Sequence, residues 1–359
     1  MDSSADKALK KLGLELDKAG GYYILEDTDR YLSYISEQLR DAGVHVLDIG
    51  EALRAFPWVR EYLWNVVRRE DEYTRKVERE IGYFIYAEPG ARSPFPVQTC
   101  LYITKRGITQ PVHNVIVADE GATLDVVTGC TALTDEAFHI GVSEFYVKKD
   151  AMIRFFMVHN WGRSVEARPR TGALVEEGGK FISYYANFFP ARVVQSRPVV
   201  YVKDDGYAHL SSVLMAQRNT RFDVGAEIHL QGVGASAEIL SRAVLTEGGF
   251  IRSPLEIYAE HPDVKGHIDC KALQLGKSEV ETIPKLVSKY PEADLSHEAY
   301  VGRLDRRKVE YLMSKGLTEE EATALIVRGF VRLDVPFLSE EMRTQLDSIA
   351  RLVAERATG

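Results

Sequence analysis

Three residue types suited to holding a transition metal fall within about thirty positions of one another. Cys270 lies in His267-Ile268-Asp269-Cys270-Lys271-Ala272-Leu273, and His297 and Glu298 lie in Leu295-Ser296-His297-Glu298-Ala299. A thiolate, an imidazole and a carboxylate together suit iron or a similar metal better than calcium or magnesium. His267 and Lys271 are close enough in sequence for either to lower the Cys270 pKa. The plain structural alternative is a small core cysteine, followed by a helix start with Ser296 as cap and Glu298 in the first turn. His297 and Glu298 are adjacent, so a strand turns them to opposite faces and a helix sets them about 100° apart. Only one of the two can point at a given site.

A second candidate is Cys130 in Gly129-Cys130-Thr131-Ala132, with His139 a little further on. A cysteine after glycine at a strand end is placed for access. Cys100, inside the alternating run Val97–Ile103, reads as a buried residue. His113-Asn114 and His159-Asn160-Trp161 read as corner residues that satisfy backbone groups, and His209 and His229 as structural strand residues. There is no CxxC pair, which argues against a closed zinc site or a ferredoxin-like cluster. Three separated cysteines cannot give four thiolates, so a cluster here would use His or Glu, a second subunit or exogenous thiols. That limit favours a transient, shared site. No GxxxxGK[ST] phosphate loop or Rossmann fingerprint is present, which argues against ATP hydrolysis by this chain.

Composition narrows the setting. The chain has 359 residues, 45% hydrophobic and 27% charged, an ordinary globular mix. A net charge of -8 and a pI of about 5.7 argue against a nucleic-acid binder. No apolar run approaches the roughly 18 residues of a membrane span. The N-terminal Met1-Asp2-Ser3-Ser4-Ala5-Asp6 lacks the layout of a secretory signal. Three cysteines, an odd number, fit a reducing compartment. The expected location is the cytoplasm.

The elements that must position these residues come in three blocks. Residues 1–81 are predicted helical, with Asp27-Thr28-Asp29 capping a helix through Leu32, Ile35 and Leu39 and a second helical run from Gly50 to about Glu80. Residues 82–283 show a period of two and an internal repeat. A Gly or Asp corner followed by a small residue and an alternating strand recurs at Gly121, Asp150, Gly178, Gly206 and Gly234, every 28 or 29 residues. All-β units at a fixed period of this size predict stacked coils of a β-helix rather than a propeller, whose blades need about 40 residues. Corner Gly and Asp supply unusual backbone angles. After Leu275 the pattern returns to helix over 284–359, with Asp305 capping one helix and Thr318 and Glu321 forming a capping box for the next. A last helix is predicted from Ser339 to about Arg356. Helical ends can cap the open β-helix.

Several ordered segments resemble the SufB/SufD family of iron–sulfur cluster assembly. They are Val112-His113-Asn114, Gly129-Cys130-Thr131, Glu144-Phe145-Tyr146-Val147, His159-Asn160-Trp161, Cys270-Lys271-Ala272-Leu273, Ser296-His297-Glu298-Ala299, Tyr311-Leu312-Met313-Ser314-Lys315-Gly316 and Ile326-Val327-Arg328-Gly329-Phe330. They span roughly residues 95–332. The resemblance implies a mainly β fold, a right-handed parallel β-helix between helical N- and C-terminal regions. It implies a non-enzymatic cytoplasmic scaffold that assembles a transient iron–sulfur cluster for client apoproteins. Its implied partners are a SufC-like ABC-type ATPase, a sulfur donor and a second scaffold subunit, as a homodimer or a SufB/SufD-like heterodimer. Nucleic acid and membrane are not among them. Carried over by motif, Cys130 is the sulfur acceptor, Cys270, Glu298 and His297 are metal ligands, and Tyr311, Leu312, Ile326 and Phe330 lie where the ATPase docks. Having both Cys270 and Glu298 tilts the chain toward the B type, although it lacks the N-terminal cysteine cluster of some B-type members. Two rival readings are a D-like adaptor without cluster chemistry and a β-helix carbohydrate-active enzyme. The second needs paired carboxylates or a calcium-bound basic constellation, and neither stands out.

Overall fold

The computed structural model describes residues 3–12, 14, 20–187, 189–333 and 335, together with 344, 347, 348, 351, 354 and 355. Its centre is a parallel β-helix of about eight turns. Each coil gives one strand to the first of two facing sheets and one strand, or two short ones, to the second. In one sheet Thr123 pairs with Met152, Met152 with Lys180, Lys180 with Tyr207, Tyr207 with Ser236, Ser236 with Lys265 and Lys265 with Asp294. Successive coils are therefore 27 to 29 residues apart, the period legible in the sequence. Gly121, Asp150, Gly178 and Gly234 all have positive φ at the corners, and so does Asp205 one residue before the expected Gly206. These corners also bond to one another up the stack: the Gly121 N–H donates to Lys149 O, Asp150 to Glu177, Gly178 to Asp204, Asp205 to Val233 and Gly234 to Asp263. A side chain without β-branching at each corner is what allows the left-handed turn to repeat.

Period-two alternation sends one set of side chains into the lumen. There Leu124, Val126, Ile153, Phe155, Phe181, Leu210, Ile239 and Ile268 form one continuous buried core. The outer face of the first sheet is apolar as well. Leu9 and Leu12 of α1 (Ser3–Leu12) cover it beside Cys100, Tyr102 and Val127. Val327 and Val331 of α5 (Glu319–Val331) belong to the same outer cluster with Met215, Val244 and Leu273.

The helical reading of residues 1–81 is corrected. Gly21–Glu26 and Arg30–Ile35 form an antiparallel hairpin, and the first of them pairs in parallel with Val97–Tyr102. Asp27 turns that hairpin with φ 52° and accepts from the Thr104 N–H at 2.8 Å. Tyr and Ile-rich segments gain more from sheet packing than a weak helical spacing offers. Among the described residues of this region, α1, α2 (Glu37–Asp41) and α3 (Ile49–Ala55) are α-helical, with short 3-10 turns at Pro57–Tyr62 and Thr74–Lys76. The β region also runs further than expected. Glu279–Ser288 and Asp294–Arg303 are strands, so His297 and Glu298 lie in a strand and Ser296 caps no helix. The caps at Asp305 and Thr318 are as read: Asp305 starts α4 (Arg306–Met313), and Thr318 with Glu321 closes a capping box on α5. The helix predicted from Ser339 lies largely outside the described residues.

Candidate functional site

Cys270 occupies the middle of the strand Lys265–Gln274. Alternation turns Ile268, Cys270 and Ala272 into the lumen, where all three join the buried core. The Cys270 sulfur lies 3.6 Å from the main-chain oxygen of Glu298. Burial raises the thiol pKa, and bonding to Thr282 and the charge of Arg242 only partly oppose it. His267 and Lys271 do not activate it, because both stand on the outer face. There His267 Nδ1 meets Ser296 Oγ at 2.9 Å, and Lys271 Nζ lies 3.0 Å from Asp269 and 3.8 Å from Glu298.

The register decides which candidates meet. Ile268 pairs with His297, Asp269 with Glu298 and Cys270 with Ala299. His297 therefore shares the lumen side with Cys270, one pleat away. The Glu298 carboxylate faces the other way, with Asp269 and Lys271. Among the described residues no three His, Cys, Asp or Glu side chains gather as a metal site.

This pair lies at an open end. The last coil comprises Glu279–Ser288, which pairs with Phe250–Ala259, and Asp294–Arg303, which pairs with Lys265–Gln274. Neither has a further neighbour among the described residues. Ile283, Tyr290, Tyr300 and Val301 are exposed there. Unpaired strands with apolar side chains are a template for another chain.

Cys130 lies far up the stack. It pairs with Leu101 on one side and His159 on the other. It is fully buried. A Cβ at Gly129 would sit 2.6 Å from Leu12 Cδ1, so this glycine admits α1 instead of exposing the cysteine. Burial pushes the Cys130 thiol well up, the neighbouring Cys100 adds to it, and Cys100 itself is raised to about 12. Native protein is expected to alkylate first at Cys270, which lies one coil from the open end, and more slowly at Cys100 and Cys130. Peptide mapping after iodoacetamide checks the order; a Cys130 adduct that forms first would refute the buried geometry.

His139 and His159 are also buried in this stretch. Burial lowers His139 to about 3 and His159 well below its ordinary value. An unfolded chain therefore binds protons below about pH 6.5 that the folded chain refuses. Stability from His139 is complete above that pH and falls as pH drops toward 3. Two pH units of decline cost about 3 kcal/mol for one such group. Guanidinium unfolding at about pH 7 and about pH 4.5 should show that loss in the wild type and a smaller one in His139→Leu.

At the C-terminal end, Arg307, Lys308, Tyr311, Leu312 and Ile326 line a groove between α4 and α5. Tyr311 is 62% exposed and Leu325 49%. Phe330 is different: it packs inward with the outer apolar cluster.

Residues 101–330 match the family model described as SUF system FeS cluster assembly, SufBD core domain. That is well over half the chain. The chain belongs to the SufBD family. An iron–sulfur cluster assembly SufBD family protein of Archaeoglobus fulgidus is 41% identical over 343 residues, covering 93% of this chain and 91% of that protein. One from Methanothermobacter thermautotrophicus is 38% identical over 348 residues, with 93% and 84% covered. One from Staphylococcus epidermidis is 26% identical over 380 residues, with 100% and 81% covered. Iron–sulfur cluster assembly is therefore the process this SufBD chain serves, and no described helix is long and apolar enough to cross a membrane.

Two features of this SufBD chain escaped the sequence reading. His113, Asn114, His159 and Asn160 sit inside strands, not at corners. Asn114 serves backbone as expected, accepting from the Tyr83 N–H at 3.1 Å. Glu144 was legible only as a motif letter, yet it is a fully buried carboxylate that organises a whole segment. A lone acid in the apolar run Phe138–Val147 was the available signal.

Proposed function

We propose that this chain is a scaffold on which a transient iron–sulfur cluster is built for delivery to client apoproteins. Sulfur is received at Cys130. Iron and sulfide are held around Cys270 and His297, at a seam formed when a second scaffold subunit covers the last coil. The cluster is cargo here, and its remaining ligands come from that subunit or from exogenous thiols. Glu298 contributes its main-chain oxygen beside the sulfur and its carboxylate on the outer rim of the same strand. The observation that carries this reading is the placement of a lumen thiol one coil inside an unpaired, partly apolar end.

Cys130 and Cys270 stand five strand spacings apart, roughly 24 Å at about 4.8 Å per spacing. Direct exchange between the two sulfurs within one chain is excluded by that distance. An internal cavity bordered by Met157, Tyr185 and Ser212 lies between them, and Ser212 Oγ is 3.2 Å from Ser241 Oγ, the register neighbour of Cys270. A small sulfur species moving through the lumen fits that lining.

ATP hydrolysis belongs to a separate ABC-type subunit seated on the groove between α4 and α5. Tyr311→Asp and Ile326→Asp are each expected to weaken its co-purification at least tenfold, about 1.4 kcal/mol. Thermal stability should change little for Tyr311→Asp, whose side chain is exposed, and modestly for Ile326→Asp, which is half-buried. Phe330→Asp should instead destabilise the fold. Equal loss of binding from all three would point to a different docking face.

The reading is tested by anaerobic reconstitution with iron and sulfide, followed by absorbance and Mössbauer spectra. Wild type should hold a cluster and Cys270→Ser should not. The raised thiol pKa and buried sulfur also fit a D-like adaptor. That reading wins if wild type and variant are equally empty.

A further inference from the structure

The strand Arg30–Ile35 ends one sheet at the N-terminal end of the β-helix, and its far edge has no neighbour among the described residues. Its pairing with Gly21–Glu26 decides which main-chain groups stay free. The Ser36 N–H donates to Gly20 O, and the register continues with Tyr34 opposite Tyr22 and Leu32 opposite Ile24. Bonded and non-bonded pairs alternate along an antiparallel ladder. Leu32 and Tyr34 therefore turn their N–H and C=O groups inward, and Tyr31, Ser33 and Ile35 turn theirs to the free edge. Tyr31 is 45% exposed, Leu32 46% and Tyr34 49%. Soluble proteins usually blunt such an edge with a charge, a proline or a bulge, and Tyr31–Ile35 carries no charged residue and no proline. Both aromatic side chains are already held in place. Tyr31 stacks on Tyr23 with ring centroids 5.8 Å apart and donates to Glu51 at 2.7 Å, and the Tyr34 ring lies 5.3 Å from that of Tyr22. Side chains fixed before contact lose little entropy on binding.

We propose that this edge pairs antiparallel with the same edge of a second copy, about a two-fold axis through Ser33. An axis normal to the sheet keeps each face on its own side, and the outward groups must oppose one another. The register that uses all three outward residues sets Ser33 opposite Ser33, Tyr31 opposite Ile35 and Leu32 opposite Tyr34. Each bonded pair exchanges two main-chain hydrogen bonds. Leu32 and Tyr34 form the non-bonded pair, where Cα atoms approach to about 4.5 Å and side chains meet most closely. Apolar residues thus face apolar residues on both sides of the joined sheet, with serine against serine at the centre. This self-match favours a second copy over a foreign strand. No like charges oppose one another between Tyr31 and Ile35, which suits two copies of a chain with a net charge of -8. The edge lies at the opposite end of the β-helix from the last coil, so it is independent of the seam proposed there. One short strand pair makes a small interface, and association is expected to depend on concentration over about 1–100 μM.

Sedimentation velocity of the full chain across that range follows the step in wild type, Ser33→Pro, Leu32→Lys and the double variant Leu32→Lys/Tyr34→Glu. Proline removes the outward N–H at the centre and takes no bond from Gly21–Glu26. Its dissociation constant should rise at least tenfold with an unchanged melting temperature. Leu32→Lys should weaken association by a similar factor. In the double variant each lysine faces a glutamate of the other copy, an arrangement specific to this register. Association should then return to within about threefold of wild type. Should Ser33→Pro fail to fold, the two Leu32 variants carry the measurement. Unchanged association in every variant, or no recovery in the double variant, overturns the pairing. A step that Val301→Lys abolishes and Ser33→Pro leaves intact also overturns it, and leaves the seam at the last coil standing. A wild type that does not associate through this end overturns the second copy as occupant and leaves the edge to an extended segment of another protein.

Discussion

Glu144→Ala is expected to lower the unfolding free energy by about 3–5 kcal/mol, the cost of breaking a buried, fully bonded ionic group. Glu144 is fully buried and accepts from four consecutive main-chain N–H groups. These are Trp64, then Asn65 and Val66, each at 2.8 Å, and Val67 at 3.1 Å. Trp64 donates to Oε1, which His113 Nε2 meets at 2.7 Å, and the other three donate to Oε2, to which Tyr146 Oη also donates at 3.2 Å. The carboxylate thus holds the segment after Tyr62 against the second sheet, where the Val66 carbonyl passes so close to Gly172 that a Cβ there would sit 2.4 Å away. Trp64 adopts φ 60° to make this turn. Alanine orphans four donors and an imidazole at once. Glu144→Gln keeps the shape but sets an amide NH₂ against N–H donors, so an intermediate loss is expected. Guanidinium unfolding measures both. Trypsin offers a second readout, since Arg68, Arg69, Arg75 and Lys76 lie in the held segment. Cleavage there should accelerate in Glu144→Ala while the β-helix core survives. Equal stability of wild type and Glu144→Ala would show that the segment is held by its apolar contacts alone.

Cys270→Ser is expected to cut cluster yield at least tenfold, because it removes the one lumen thiol near the open end. Glu298→Ala should cost markedly less. Its carboxylate stands on the opposite face, beside Lys271 and Asp269, and the main-chain oxygen that faces the sulfur survives the change. His297→Ala should fall between them, a ligand-side loss of roughly tenfold or less. Iron and sulfide analysis of anaerobically reconstituted protein ranks the three. If Glu298→Ala proves as damaging as Cys270→Ser, the strand must rearrange when the seam forms, turning the carboxylate toward the sulfur. The Asp269–Arg242 bond at 2.7 Å helps oppose such a turn, since it pins the neighbouring strand.

The repeat, and with it the β-helix, was written in the sequence. A coil that stacks in register must place its corner every 27 to 29 residues, and Gly and Asp mark those corners because few other residues take positive φ at little cost. The helix caps at Asp305 and Thr318 were likewise local and legible. So were the candidate cysteines, by type. What the sequence could not decide was which side of each strand faced what. Helical spacing near Leu32 and Ile35 lost to sheet pairing because Arg30–Ile35 folds back on Gly21–Glu26, which itself pairs with Val97–Tyr102 far along the chain, whereas Leu39 does lie in the short helix α2. The strand identity of Asp294–Arg303 followed from Lys265–Gln274 beneath it, and that register alone sent Glu298 outward and left His297 with Cys270. Burial of Cys130 and the carboxylate nest of Glu144 depend on groups brought together from remote coils. Local sequence encodes backbone preference and alternation; faces, partners and desolvation exist only once the coils have stacked.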